Sequence, residues 1–238
     1  MKLTAKLGLS IMLIALLPLL AFGGLALRQA RESITRQVHD GLRINAERAR
    51  KQVEILVAMY EERVRLVASR TQLRLSLKDH IEEPDARHVE RMSGILRDAV
   101  ASVPDFESIS IAGTNGVIVA STDSGRIGAN IVEEDYFLAG LKSVGISHFF
   151  YHKGELRTRL TSPLTRDEAL LGVLVIRTTL DDLIDSLAQR EGLGKTGETL
   201  LARRLPNGDA QFITPLRFDP NAALRRTIPA MKTEVPIT

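Results

Sequence analysis

The strongest apolar run in this 238-residue chain lies at its amino-terminal end. Residues 7–27 contain no charged side chain, whereas Lys2 and Lys6 precede them and Arg28 follows. Because a helix of about 20 apolar residues is long enough to cross a bilayer, this run predicts an uncleaved transmembrane anchor. A cleaved signal peptide is the alternative, although its apolar region usually spans only about 7–15 residues. We therefore expect residues 1–27 to form a cytoplasmic tip and a single pass through the lipid bilayer.

A long amphipathic pattern follows this run. Between residues 28 and 80 no proline occurs, and apolar residues recur mostly at spacings of three and four. These positions are Ile34, Val38, Leu42, Ala49, Val53, Leu56, Tyr60, Val64 and Val67. One apolar side and one charged side predict a long helix, which needs a partner surface to be stable in water. That surface is either the chain's own domain or the same helix of a second copy in a homodimer.

Prolines and a capping residue mark a second helix. Pro84 blocks continuation of the first helix, and Asp85 is a suitable N-cap for the next one. Apolar residues then recur at helical spacing until Pro104. The sequence therefore predicts a helix between the two prolines.

Beyond Pro104 the apolar residues alternate with polar ones, which is typical of strands. Asn115-Gly116 separates residues 108–112 from residues 117–120 and predicts a β-hairpin. Further strands are predicted over residues 146–152, 156–163 and 170–179, with short helices over 133–143 and 181–190. The apolar residues 171–176 predict a central strand. Helices grouped around an antiparallel sheet predict the α+β class.

A second set of strands is predicted near the carboxyl end. Asn207-Gly208 separates residues 199–204 from residues 209–214, which again favours a hairpin. Two strands followed by a tail with Pro220 and Pro229 cannot bury a core by themselves. We therefore expect this unit to be incomplete and the chain to be the front part of a longer protein.

The segment Gly194-Lys195-Thr196 has the core of a phosphate-binding loop, so an extracytoplasmic enzyme or an NTPase that uses this turn is the alternative function. A complete motif needs a glycine five positions earlier, where the chain has Gln189. It also needs a strand before the loop and a helix after it, and the sequence predicts the reverse order. A glycine-punctuated helix end and turn is therefore the favoured interpretation.

Composition narrows the classes of function further. The chain has no cysteine, so disulfides and thiolate metal sites are excluded. Its net charge is only +3 and basic residues are interspersed with acidic ones, so no stripe of one sign indicates nucleic-acid binding. Nothing in the pattern of acidic residues and histidines predicts a metal site, a cofactor or a set of catalytic residues.

Four segments, in this order, resemble the double Cache family of extracytoplasmic bacterial sensor domains. They are FESISIAGTNGVIVAST (106–122), EEDYFLAGL (133–141), LTSPLTRDEALLGVLVIRTTLDDLIDSL (160–187) and GLGKTGETLLARRLPNGDAQFI (192–213). The resemblance implies a long signalling helix over 28–80, a membrane-distal, PAS-like module over 81–190, and an inter-module turn with a partial membrane-proximal module over 191–238.

The resemblance also implies a function. Such domains bind a small molecule outside the cytosol and form the sensory front of a histidine kinase, a diguanylate cyclase or a chemoreceptor. We expect the sensor of a histidine kinase in a two-component system, located in the periplasm or otherwise outside the cell membrane. The chain carries no kinase or cyclase motif, so it is expected to have no catalytic activity.

The amino-acid-binding branch of the family has an Arg-x-Trp-Tyr motif in the short helix and an Asp at the end of the last distal strand. Glu134 stands at the position of that Arg, Tyr136 at that of Trp and Phe137 at that of Tyr. Arg177 stands at the position of the Asp. Both charged positions have the opposite sign, so the resemblance implies that Arg177 holds a carboxylate or another anion.

The strands around Arg177 supply further candidates for ligand binding. They are Thr179, Tyr151, His148 and Arg159. Thr179 is expected on the same face as Arg177 because side chains alternate along a strand. For each of these residues an alternative to ligand binding stays open from the sequence. Arg157 and Arg159 could face water, His148 could be structural, and Arg177 could form an ion pair with Glu134.

Overall fold

The computed structural model describes residues 3–152, 155–188 and 197–230. Its first element is a helix of 66 residues, α1 (Leu3–Ala68). At a rise of about 1.5 Å per residue this helix is about 100 Å long. In the described part of the chain, no helix combines the length and the apolar character that crossing a membrane requires. The predicted anchor over residues 7–27 is therefore not supported.

The predicted helix over residues 28–80 is divided in two. It breaks at Ser69–Arg70, where the backbone of Arg70 is not helical (φ −59°, ψ 113°), and α2 (Thr71–Glu82) follows. The break lets α2 turn its buried residues Leu73 and Leu77 into the same core that the end of α1 reaches. A side-chain hydrogen bond from Arg70 Nη1 to the Ile95 carbonyl (3.3 Å) fixes the corner.

The two halves of α1 have different surroundings. Near its end, Tyr60 and Val64 are both only 1% exposed and lie in the core. Farther from the domain, Ile34 and Val38 are 60% and 55% exposed, and Leu42 is 48% exposed. The apolar stripe therefore lies along the chain's own domain only at its carboxyl-terminal end.

The predicted second helix is confirmed as α3 (Ala86–Ser102), with Asp85 as its N-cap. The Asp85 side chain accepts a hydrogen bond from the Arg87 backbone N–H at 2.8 Å and also contacts the Arg87 guanidinium. The side-chain hydrogen bond from Arg87, strengthened by the backbone one, lowers the pKa of Asp85 to about 2. The capping predicted from the sequence is therefore present.

Five antiparallel strands form the main sheet in the order β2-β1-β5-β4-β3. They are β1 (Phe106–Gly113), β2 (Ile118–Ser121), β3 (Gly145–His152), β4 (Glu155–Arg166) and β5 (Ala169–Thr179). Two short helices, α4 (Asp135–Gly140) and α5 (Asp181–Ala188), precede β3 and follow β5. Gly116 has a φ of 78° in the turn between β1 and β2, so the predicted Asn-Gly hairpin is confirmed. The predicted central strand is β5, and the α+β class is confirmed.

One face of this sheet is covered by α1, α2 and α3. Alternate residues of the strands point to it and join the largest core of buried side chains. From the strands they include Ile109, Ile111, Leu156, Leu160, Leu164, Leu174 and Ile176. We call this side of the sheet the helix face.

Over residues 197–230, the carboxyl-terminal unit has three short strands, β6 (Ala202–Arg204), β7 (Ala210–Phe212) and β8 (Thr227–Ile228), in that order. Gly208 has a φ of 89° in the turn that joins β6 to β7, which confirms the second Asn-Gly hairpin. Ile213 is buried in the main core rather than in a core of this unit. Ile213 therefore connects this unit to the core of the larger domain.

Candidate functional site

The second face of the main sheet carries polar side chains beyond a small apolar cluster. On β5, Val173 and Val175 point to it and pack with Tyr136 and Phe137 of α4. Arg177 follows on the same face by alternation. Helix α4 approaches closely because Gly140 has no side chain, and a Cβ there would lie 2.6 Å from Val173 Cγ1. We call this side of the sheet the arginine face.

Arg159 of β4 lies between two aromatic rings on the arginine face. Its guanidinium carbon is 4.5 Å from the centre of the Tyr136 ring and 4.3 Å from that of Phe150. Burial is the main reason why the pKa of Arg159 is lowered, although the group stays charged at neutral pH. Its Nε is buried and has no hydrogen-bond partner within the described ranges. Arg159 therefore holds a charge that its surroundings only partly compensate.

Arg177 lies directly opposite Arg159 in the β4–β5 pairing. Its Nε is 2.9 Å from Glu107 Oε2, so the two side chains form an ion pair. Among the described residues, neither of these two atoms has a hydrogen-bond partner of acceptable geometry, so the Arg177 N–H is not directed at the carboxylate. Glu107, rather than the Glu134 considered from the sequence, is the carboxylate that Arg177 contacts.

Arg157 is fully engaged by the protein and is only 6% exposed. Its Nε donates to Glu107 Oε1, its Nη1 donates to the His152 carbonyl at 2.6 Å, and its Nη2 donates to Glu155 Oε2 at 2.9 Å. Burial would lower the pKa of Arg157, but its bonds to Glu107 and Glu155 outweigh burial and raise the pKa. The alternative that Arg157 and Arg159 face water is therefore wrong.

The other predicted residues are distributed over the site and its surroundings. Glu134 is exposed at the N-terminus of α4, where its charge acts on Arg159. Thr179 is partly exposed on the arginine face, opposite Arg157 in the β4–β5 pairing. His148 pairs with Arg159 through the backbone of β3, and its side chain lies outside what the structure describes.

Tyr151 is not beside Arg159. Phe150 covers Arg159, so its neighbour Tyr151 points to the opposite side of β3 by alternation. Tyr151 is 41% exposed and lines a cleft of about 440 Å³ with Phe149, Phe150 and the carboxyl-terminal unit. Burial of part of this side chain raises its pKa. The structure therefore separates Tyr151 from Arg159 and Arg177, and the arginines that share its cleft are Arg203 and Arg225.

Two residues of the site were missed by the sequence analysis. Glu107 is the extra residue of a bulge, since Phe106 pairs with Thr178 and Ser108 pairs with Arg177. Arg126 lies in a 3₁₀ turn after β2, and its Nη2 is 3.5 Å from the Tyr136 hydroxyl. Neither position stands out in the sequence, because a bulge and an irregular segment have no periodic pattern.

The phosphate-loop alternative concerns residues 189–196, which lie outside the described residues. Its described flanks are α5 before the segment and β6 after it. A phosphate-binding loop needs a strand before it and a helix after it. The flanking elements therefore have the order that the sequence analysis predicted, which is the reverse of that motif.

Comparisons with known proteins identify the fold. No family model matches the chain, and no curated protein matches its sequence. Among solved structures it is similar to the sensor domain of the V. cholerae histidine kinase DctB, with 15% identity and a TM-score of 0.51, over 61% of this chain and 57% of that one. The chain thus spans less than three fifths of that sensor domain.

A second similar structure is the ligand-binding domain of the Pseudomonas fluorescens chemoreceptor CtaA in complex with L-isoleucine. The identity is 11% and the TM-score 0.56, over 82% of this chain and 74% of that one. At such identities the likeness concerns the fold. The chain has the fold of the Cache-type sensor domains of histidine kinases and chemoreceptors, as its resemblance to the double Cache family implied.

Proposed function

We propose that the chain is the extracytoplasmic sensory domain of a signal-transduction protein, a sensor histidine kinase, and that it binds a small organic anion on the arginine face. The observation that carries this proposal is the position of Arg159 between Tyr136 and Phe150. We also propose that the chain has no catalytic activity of its own.

Arg159 supports anion binding because its charge is poorly compensated. In the described part of the chain no carboxylate oxygen lies within 4 Å of its guanidinium nitrogens, and Arg177 and Arg126 both act on it as like charges. A partly buried charge without a counter-ion is costly, so an incoming anion gains more from it than from an arginine in water. The guanidinium offers a planar fork of donors that suits a carboxylate.

The charges of the face favour an anion over an amino-acid zwitterion. The solved CtaA domain holds L-isoleucine, which carries both a carboxylate and an ammonium group. In this chain the arginine face presents Arg126, Arg159 and Arg177. Its carboxylate Glu107 is already paired with Arg177 and Arg157, and Glu134 is exposed at the edge of the face. An ammonium group between these arginines would be repelled, whereas a carboxylate would be attracted.

A path to the long helix starts at Thr178, the residue directly after Arg177. The Asp105 carbonyl accepts hydrogen bonds from Thr178 Oγ1 (2.9 Å) and from the Thr179 N–H (3.1 Å) at the end of β5. The Asp105 carboxylate receives a hydrogen bond from Arg63 Nη1 of α1 at 2.8 Å. We propose that ligand binding at the arginines shifts this end of the sheet and that Arg63 transmits the shift to α1.

The exposed apolar stripe of α1 supports a further part of the proposal. Ile34, Val38 and Leu42 recur at a spacing of four and are about half exposed or more. An apolar stripe of this kind is stable in water when it packs against a partner helix. We propose that two copies of the chain associate through this stripe as a homodimer.

The test is calorimetric titration with propionate, pyruvate and benzoate, each beside its neutral amide. We expect at least one carboxylate to bind while its amide does not, and Arg159→Met to weaken that binding at least about tenfold. Met keeps the packing between the two rings but removes the charge. Arg91→Met, on an exposed arginine of α3, is the matched control and leaves binding unchanged. No binding of any carboxylate, or equal binding by Arg159→Met, would contradict the proposal.

Hydrogen exchange on the same samples tests the signalling path. With the bound carboxylate, the amides of α1 near Tyr60 and Val64 are expected to change their protection. In Arg63→Gln the carboxylate still binds, but this change is lost because the link to Asp105 is broken. A change that persists in Arg63→Gln excludes Arg63 as the transmitting residue.

A further inference from the structure

Glu107 is a carboxylate placed among the arginines of the binding face. It lies between two of them, with Oε1 on Arg157 and Oε2 at 2.9 Å from Arg177, and its side chain is 21% exposed. It reaches this position because it is the extra residue of the β1 bulge. The protein therefore supplies an anion of its own at the site that is proposed to bind one.

The three arginines of β4 and β5 on this face differ in how many contacts they make with acceptor groups of the protein. Arg157 uses its donors on Glu107, Glu155 and a backbone carbonyl. Arg177 meets Glu107 at ion-pair distance, although its Nε–H is not aligned for a hydrogen bond. Arg159 contacts two rings and its Nε has no hydrogen-bond partner among the described residues. Arg157 is therefore structural, Arg177 is only partly compensated by Glu107, and Arg159 has donors left for a ligand.

We infer that Glu107 is a specificity-determining residue that restricts this site to ligands with a single anionic group. The inference rests on the proposed function, since it concerns the ligand that Arg159 would hold. Within the described residues, a carboxylate on Arg159 meets no competing anion at contact distance. A second carboxylate on the same ligand, reaching toward Arg177 on the adjacent strand, would have to displace Glu107 or lie beside it.

Both routes are unfavourable for a dianion. Displacing Glu107 also removes its hydrogen bond from the buried Arg157, which then keeps a charge with fewer partners. Remaining beside Glu107 brings two carboxylates within a few ångströms, and at an effective dielectric constant of about 20 that repulsion is worth at least about tenfold in affinity. Glu107 thus lowers the affinity for a second negative charge without blocking the first.

The experiment compares dicarboxylates with their monoamides, which have almost the same size but one charge fewer. Titration of the whole chain with succinate and succinamate, and with phthalate and phthalamate, gives the preference for one charge over two. We expect the wild type to favour the monoamide of the bound pair at least about tenfold. Glu107→Gln is expected to reduce that preference at least about tenfold, mainly by binding the dicarboxylate more tightly.

Glu90→Gln is the matched control, because Glu90 is an exposed carboxylate on α3, and it keeps the wild-type preference. If circular dichroism shows that Glu107→Gln does not fold, Arg177→Gln replaces it. That variant leaves Glu107 in place and removes one positive charge, so it weakens the dicarboxylate more than the monoamide.

The outcomes separate this inference from the proposed function. A wild type that binds monoamide and dicarboxylate equally, or a preference that Glu107→Gln leaves unchanged, overturns the role of Glu107 while carboxylate sensing stands. For Arg177→Gln, an equal loss for both ligands overturns it as well. A wild type that binds none of the carboxylates of either panel overturns the proposed function and this inference with it.

Discussion

The two faces of the main sheet are built from the same strands but have opposite roles. On β5, Leu174 and Ile176 point to the helix face and are completely buried, whereas Arg177, the next residue, points to the arginine face. On β4, Leu160 is buried on the helix face beside Arg159 on the other. A single residue step therefore separates the part of the molecule that stabilises the fold from the part that can bind a ligand.

The two faces therefore contribute differently to the stability of the fold. The core on the helix face buries large apolar side chains from β1, β4 and β5 and from α1, α2, α3 and α5, and this burial is the main source of stability in a domain of this size. The arginine face has a much smaller apolar cluster around Phe137 and keeps charges close together. Like charges opposite each other on neighbouring strands are destabilising, so Arg159 and Arg177 reduce stability where an anion would restore it.

The largest expected difference between the two faces comes from substituting two neighbouring residues of β4, one on each face. Leu160→Ala removes a completely buried side chain from the helix face and is expected to lower the free energy of unfolding by about 2–5 kcal/mol. Arg159→Met, one position earlier, is expected to change it by less than about 1 kcal/mol, because the lost cation–π contacts are offset by removing a partly buried charge. Urea denaturation of both variants gives the two values.

Ile81→Ala, at an exposed position of α2, is the control for loss of apolar volume at the surface. It is expected to leave the free energy of unfolding almost unchanged. If Arg159→Met lowered that free energy as much as Leu160→Ala does, the arginine face would be a second structural core and the division between the faces would be wrong.

A smaller effect is expected from Gly140→Ala, at the point where α4 touches the arginine face. The added Cβ would lie 2.6 Å from Val173 Cγ1 and 2.8 Å from Thr161 Cβ, so α4 must move outward. Such overpacking costs about 1–3 kcal/mol, and the movement draws Tyr136 away from Arg159. Thermal unfolding and carboxylate titration both check this, and Gly94→Ala, where a Cβ meets nothing within 4 Å, is the control. Unchanged stability would show that α4 is loosely packed.

Most of the fold could be predicted because its signals are local. Spacings of three and four predicted the helices, alternation predicted the strands, and Asn115-Gly116 and Asn207-Gly208 predicted two hairpins whose glycines have the expected positive φ. The apolar run over residues 171–176 correctly indicated a central strand, since only a strand covered on both sides is so uniformly apolar. Each of these features follows from a few consecutive residues.

The features that could not be predicted depend on contacts between residues that are distant in the sequence. The break at Ser69–Arg70 contains neither proline nor glycine, and it follows from how α2 packs on the core. Glu107 contacts Arg177 only because a bulge places it there, and the sequence pattern points to Glu134 instead. The positive charge of the site could be predicted from Arg177, but the side chains that contact Arg177 could not.

The smallest expected effect comes from Tyr60, a polar residue on α1 in the core of the helix face. Its side chain is 1% exposed, and its hydroxyl has no hydrogen-bond partner among the described residues. Burial, helped by the charges of Asp105 and Asp182, raises the pKa of Tyr60 to about 12. Tyr60→Phe keeps the ring over which Arg63 lies and removes the unpaired hydroxyl. At pH 7 we therefore expect a free energy of unfolding equal to the wild type's or higher by less than about 1 kcal/mol.

The stability at alkaline pH tests the Tyr60 hydroxyl specifically. The folded protein favours the neutral phenol, since the pKa is about 12 in the fold against an ordinary value near 10. The resulting stability is complete below pH 10 and is lost as the pH rises toward 12, because the unfolded chain releases the proton first. The difference in free energy of unfolding between Tyr60→Phe and wild type should therefore increase above pH 10 in urea titrations. A constant difference would mean that the Tyr60 hydroxyl is hydrated in the fold, and the helix face would then be less dry than its aliphatic side chains indicate.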